Sequence, residues 1–421
     1  MQPVRFKLNK SLSSLLSSTG RISVILSLLA SSGLAQATLA ERDQARRIHE
    51  RLTGVPPSNA VLDSMEAEIA ANGAVSAASI AMNNPSFANV TLKNFAAPWT
   101  NEAQSVFVPL NDYSATVIGL IRDGEDFRKV LYDDVIYRGN VSGIANYSSA
   151  NNNHYEDLEL KGPVDGDLSD PGILVKDVQS AVVTNGLPSN ATAGVMTTRA
   201  AAEAFFSGGT NRAMFRFTLM NHLCTDLEPL KDESRTPDRV RQDVSRSPGG
   251  DSRIFMFSCV GCHAGMDGLA GAFAYYEYNS TSGAMEYTAN TVSGKHLINS
   301  TNFPHGYVTD DDSWVNYWRT GQNKLLNWSP TPVTNTNIDA KGIARGNGAK
   351  SLGEELANSK AFGRCQVKKA FQAVCLHDPD DYASDRTAVD AITASFMTTD
   401  NYNMKTVFAK VADHCKDIQT P

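Results

Sequence analysis

Cys259, Cys262 and His263 form a Cys-x-x-Cys-His run with Val260 and Gly261 between the thiols. Thiols three positions apart share one face of a helix, roughly 5–6 Å from each other. At that separation they reach the two vinyl groups of one porphyrin, and the adjacent imidazole takes the proximal side of the iron. The spacing predicts one covalent haem c, anchored by Cys259 and Cys262, with His263 as proximal iron ligand. A zinc site would want a second Cys/His pair at comparable spacing, and none exists. A thioredoxin-type dithiol would want a βαβ setting that the flanks do not offer. A plain disulfide between the two cysteines is the remaining alternative.

The sixth iron ligand is open. Met266 lies three residues past His263 and cannot be carried around to the opposite haem face. Downstream stand Met285, His296, His305, Met397 and Met404. His305, between Pro304 and Gly306, sits in a constrained non-helical setting and is the foremost distal candidate. Met397 and Met404 flank a second loop, 398–403. Upstream, Met220 and His222 precede Cys224 in a helical pattern. If the distal position admits a small ligand instead, His222 and His296 are the candidate acid/base groups.

The elements around the motif begin with an address. Arg5, Lys7, Lys10 and Arg21 are the only charges before Glu41. An apolar stretch from Ile22 to Leu29 follows, then small residues and Ala35-Gln36-Ala37, an export-signal order. The apolar run is shorter than the ~20 residues that span a bilayer. Removing these 37 residues, with their four positive charges, from a 421-residue chain of charge −7 leaves 384 residues and −11. The expected location is therefore periplasmic, secreted or at the cell surface, where haem attachment and disulfides are both permitted. With 42% hydrophobic and 20% charged residues the chain is neither disordered nor collagenous. A pI near 5.7 argues against nucleic acid and favours a partner with a basic docking surface.

Periodicity predicts a mainly α, multi-domain protein with long irregular loops. Expected domains are an N-terminal helical part (38–200), a haem-binding region (201–345) and a C-terminal helical part (346–421). Ala45, Ile48 and Leu52 make one stripe, and Ser58 caps a second helix closed by Asn72-Gly73. His49 beside the first stripe reads as a satisfied residue. A helix is expected over 113–122, and 139–172 reads as a long Asn-rich loop able to roof a pocket. Asp165, Asp167 and Asp170 lack the spacing of a calcium loop. Three stripes follow near the end: Val367, Phe371 and Val374; Val389, Ile392 and Phe396; Met404, Phe408, Val411 and Cys415. Strand-like alternation is scarce.

Cys224, Cys365, Cys375 and Cys415 remain, an even number that suggests two disulfides or, alternatively, buried free thiols. Cys365 and Cys375 fall ten residues apart on one helix, ~15 Å, too far to bond. Pairing Cys375 with Cys415 would staple two terminal helices and leave Cys224 for Cys365.

Ala193-Gly194-Val195-Met196-Thr197-Thr198, Asn211-Arg212, Leu223-Cys224 and Cys259–His263 with Met266-Asp267 follow one order. That order resembles the core of the planctomycete-type cytochrome c proteins, an exported haem family. Phe273, Tyr275, Tyr276 and Tyr278 stand where that family has an aromatic stretch. Residues 348–415 are similar to its closing helical domain, and 127–137 to a segment ahead of the haem. Gly268 departs from the family's usual Asp-Pro. The resemblance implies a mostly helical haem protein and supplies no substrate.

Electron transfer is the leading expectation, since no H-E-x-x-H, G-x-S-x-G or Walker loop is present. A haem-dependent oxidoreductase of peroxidase or oxidase type with an open distal site is the alternative, because 384 residues exceed a simple carrier's need. A third reading is a haem-based sensing protein, with Trp314, Tyr317 and Trp318 near Asp310–Asp312 as a carbohydrate or partner surface, though such a cluster is more often simply core or haem packing.

Overall fold

A computed structural model describes residues 40–417 except 183–186, 207–210, 236, 238, 240–251, 295, 297–306 and 335. The expected export signal and His305 lie outside the described residues.

The protein is mainly helical. Helix α1 (40–53) buries Ala45, Ile48 and Leu52 completely, as their three- and four-residue spacing predicts. His49 is also buried, and its Nδ1 donates to the Val55 carbonyl at 2.9 Å. Ser58 starts α2 (Asn59–Asn72) by accepting the Val61 N–H, and Gly73, at φ 90°, ends it. That left-handed turn folds α3 (Ala74–Ala81) back on α2. Helix α4 (Asp112–Arg122) opens with a capping box between Asn111 and Ser114 and is buried along almost its whole length.

Asp112 has a second use. Its carboxylate accepts the Arg199 and Ala200 N–H groups at 2.6 and 3.0 Å, the orphan donors at the start of α5 (Arg199–Phe205). Helix α6 (Arg212–Thr218) continues through a π-turn, Leu219–Leu223, to Cys224. Helix α7 (Val260–Ala270) carries most of the Cys-x-x-Cys-His run. The C-terminal helices are α8 (Gly348–Ala357), α9 (Lys360–Cys375), α10 (Ala383–Phe396) and α11 (Met404–Cys415). All three C-terminal stripes face inward. Helix α11 packs on α3 and α9, and Phe408 meets Phe87 and Phe95 edge-on. Residues from both ends of the chain thus meet in one apolar core.

Among the described residues seven short strands accompany the helices, within the mainly α expectation. Strands β1 (Ile136–Gly139) and β2 (Leu174–Asp177) pair antiparallel and clamp the ends of the Asn-rich loop. Strands β3 (Tyr276–Asn279) and β4 (Ala284–Tyr287) form a hairpin. A third sheet runs in the order β5–β7–β6, from β5 (Ser313–Asn316), β6 (Thr336–Ile338) and β7 (Ala344–Asn347). At three or four residues each, they are too short for a two-residue alternation to register. The Asn-rich loop contains a helix, Asn153–Leu160. Its Tyr147 and Ser149 help enclose a space of about 10 Å³ against Arg199 and Met285, which is room for about one water. The pocket it was expected to roof is not of substrate size.

Cys224 pairs with Cys365 and Cys375 with Cys415, at Cα separations of 5.2 and 5.7 Å. The second disulfide is flanked by another tie, since Asp385 accepts from Nε2 of both His377 and His414 at 2.8 and 2.7 Å.

Glu354 on α8 is buried, and Oε2 has no hydrogen-bond partner. Burial raises its pKa to about 7, against the pull of Lys350 one turn earlier. The folded state therefore binds this proton more tightly than the unfolded chain. The stabilisation is complete below pH ~4.5 and is lost as pH rises through about 7. Glu354→Gln should match wild type in urea unfolding at pH 4. It should exceed wild type by up to about 3 kcal/mol above pH 8. A stability difference independent of pH would contradict this.

Candidate functional site: the Cys259–His263 helix and its braces

Helix α7 has two unlike faces because its sequence alternates glycine with reactive residues at helical spacing. Gly261, Gly265 and Gly268 make one face and Cys259, Cys262, His263, Met266 and Asp267 the other. The glycine face is a close seat. A Cβ at Gly265 would fall inside the Trp318 indole, and one at Gly268 would lie 3.0 Å from the Val315 carbonyl oxygen. Trp318 is fully buried and also packs on Phe215, with ring centroids 5.7 Å apart.

The chain enters α7 through a π-turn, Phe255–Cys259, a local underwinding often found at functional positions. Cys259 caps the helix and Cys262 stands one turn on. Both are free thiols and half-buried, whereas the other four cysteines are in disulfides. The Cys262 thiol lies 3.7 Å from the Leu227 carbonyl. Burial, then the Glu228 carboxylate, push its pKa up. Ile254, Met256 and Phe257, just ahead of Cys259, expose apolar side chains to water, Phe257 by 83%.

His263 Nδ1 lies 3.1 Å from Asp267 Oδ1, one turn along the same face. Asp267 is 1% exposed and is held by a two-pronged ion pair, with Arg212 Nε on Oδ1 and Nη2 on Oδ2, each at 2.8 Å. Burial alone would raise this carboxyl. The Arg212 charge, with His263, outweighs it and holds Asp267 far below the usual carboxylate range. An ionised carboxylate only accepts, so Nδ1 is the protonated ring nitrogen and Nε2 of the neutral ring carries the lone pair. Arg212 is fixed in turn by Asn211, a left-handed residue at φ 56°. The Asn211 Nδ2 donates to the Phe273 and Tyr276 carbonyls at 2.9 and 2.8 Å.

The other residues singled out by sequence are placed apart from this helix face or in the core. His222 is fully buried. Its Nε2 is hydrogen-bonded to the Tyr113 hydroxyl at 2.8 Å, and its ring meets Trp99 edge-on. Burial, followed by the nearby Lys369, pushes it down to about 3, so it stays neutral and serves packing. Met266 and Met285 are buried, Met397 caps α10 against Gly363, and Met404 begins α11 in the core. Met220 lies half-buried in the π-turn, and His296 is buried with its N–H on the Ser293 carbonyl. Trp314 and Trp318 are fully buried, which is the core-packing reading of that cluster rather than a carbohydrate surface.

Sequence reasoning passed over the roles of Asp267 and Arg212. The first was legible as a carboxylate four residues past a histidine on one helix. The second, 55 residues away, was not. Among the described residues no group of three or more His, Cys, Asp or Glu is placed to hold a metal ion. Nor is any helix among them long and apolar enough to cross a membrane. No family model, curated protein or solved structure matches the chain.

Proposed function

We propose that this chain is an exported c-type cytochrome of the kind the planctomycete-type resemblance implies, carrying one covalent haem and passing single electrons to or from a partner protein. The observation that carries the reading is the reactive face of α7. Two free, accessible thiols stand one turn apart beside an imidazole whose Nδ1 is already engaged. The residues fit the group. Cys259 and Cys262 would form the thioethers, Nε2 of His263 would bind the iron, and the exposed Ile254, Met256 and Phe257 would offer the macrocycle apolar contact. Haem supplies a one-electron couple there. The chain supplies attachment, an oriented imidazole and a rigid seat for the helix. The exposed carboxylates Glu228 and Glu233 near the motif favour a partner with a basic docking surface.

A second reading, a haem-dependent oxidoreductase with an open distal position, draws on the same Asp267–His263 contact, since a more basic proximal imidazole favours the higher oxidation state. Ferric protein that binds cyanide rapidly would favour it over electron transfer.

The test is expression with export and a haem-attachment system. The protein should keep its haem through denaturing electrophoresis, with one haem per chain by alkaline pyridine absorbance. Cys259→Ala/Cys262→Ala should carry none. A wild-type chain that emerges without covalent haem overturns the reading.

A further inference from the structure

The geometry points to Asp267 as a positioning residue that orients His263 and strengthens its Nε2 as an iron donor, with Arg212 limiting how strongly it does so. The inference rests on the haem reading of the Cys259–His263 helix and goes beyond it to what sets the reduction potential.

Three features separate this from a surface pair one turn apart. Asp267 is 1% exposed, so its charge acts on the imidazole with little screening by water. Oδ1 accepts from both His263 Nδ1 and Arg212 Nε while Oδ2 accepts from Arg212 Nη2, so the carboxylate plane is set from outside α7. The arginine begins another helix, α6, whose entry is locked by Asn211 onto the chain just beyond α7. A carboxylate on Nδ1–H fixes the tautomer and raises the basicity of the opposite nitrogen. A more basic ligand stabilises the ferric state over the ferrous and lowers the potential. Arg212 draws on the same carboxylate oxygens and weakens that push. The two side chains thus act in opposite directions on one property.

The experiment compares the haem-loaded wild type with Asp267→Asn and Arg212→Gln by redox titration followed in the visible spectrum. Asparagine keeps the size and an acceptor oxygen but not the charge. Asp267→Asn should retain covalent haem and shift the midpoint upward. A tenfold loss of ferric preference corresponds to about 59 mV for one electron. Arg212→Gln should shift it downward. If Asp267 and Arg212 only tie α6 to α7, both variants lose stability and neither moves the potential. That result overturns this inference while leaving the haem reading intact, as would shifts of the same sign. Should Asp267→Asn fail to fold, the downward shift in Arg212→Gln alone decides, and its absence overturns the proposal. Wild-type protein without covalent haem overturns both.

Discussion

Arg319→Met should lower the unfolding free energy by about 3–5 kcal/mol, the cost of stranding a buried charge. The stranded group is Glu355, whose side chain is fully buried. Arg319 grips it with Nε on Oε1 and Nη2 on Oε2, both at 2.7 Å, and Nη1 reaches the Ser329 carbonyl at 2.7 Å. Asn316 adds a donor to Oε1 at 2.8 Å. Methionine fills much of the arginine's volume but supplies none of its donors, so the loss is chiefly electrostatic. The consequence reaches the site, because Trp318 immediately precedes Arg319 in the turn Tyr317–Arg319 and forms the seat under Gly265. Urea unfolding read from the protein signal measures the stability, and haem content per chain reads the seat. Arg319→Lys keeps the charge but not the fork, and should fall between the two proteins. A loss under about 1 kcal/mol in Arg319→Met would contradict the account.

Removing the Cys224–Cys365 disulfide should cost about 5 kcal/mol and removing Cys375–Cys415 about 4 kcal/mol, on the chain-entropy estimate. The order follows from sequence separations of 141 and 40 residues. The first ties the π-turn after α6 to α9, and the second ties α9 to α11. Paired Cys→Ala variants, unfolded in urea, measure each term. A thiol reductant should destabilise the wild type by roughly the sum while leaving thioether-bound haem in place. In the Cys375→Ala/Cys415→Ala protein the His377–Asp385–His414 tie still joins the chain just past α9 to α11 through α10. The measured loss there should therefore fall short of the entropic figure. Equal losses for the two pairs would indicate that strain or residual structure, rather than loop length, sets the stabilisation.

Much of the helical framework was legible because it is local. The stripes at Ala45, Ile48 and Leu52 and at Met404, Phe408, Val411 and Cys415 repeat at the helical period, and all are buried. Ser58 and Gly73 bound α2 through contacts a few residues long. The length of α9 ruled out only a Cys365–Cys375 bond, and the fold decided the pairing among the remaining alternatives. The strands were missed because segments such as Ile136–Gly139 owe their state to a partner 38 residues away, not to their own pattern. Trp314 and Trp318 could be read either as a surface beside three aspartates or as core, and the fold turns both inward. His222 read as a group able to move protons, and burial against Tyr113 and Trp99 makes it a core side chain.

By itself the sequence determined which atoms are able to react, Cys259, Cys262 and His263, and that they share one helix face, since covalent order and helical period require nothing further. Only the tertiary structure decided what acts on them. Arg212 reaches Asp267 across 55 residues, Trp318 fills the space that Gly265 leaves, and Arg319 and Glu355 hold that turn in place. A charge or a packing seat acts through distance in space and through how much water is excluded, and neither is written in the order of residues along a chain.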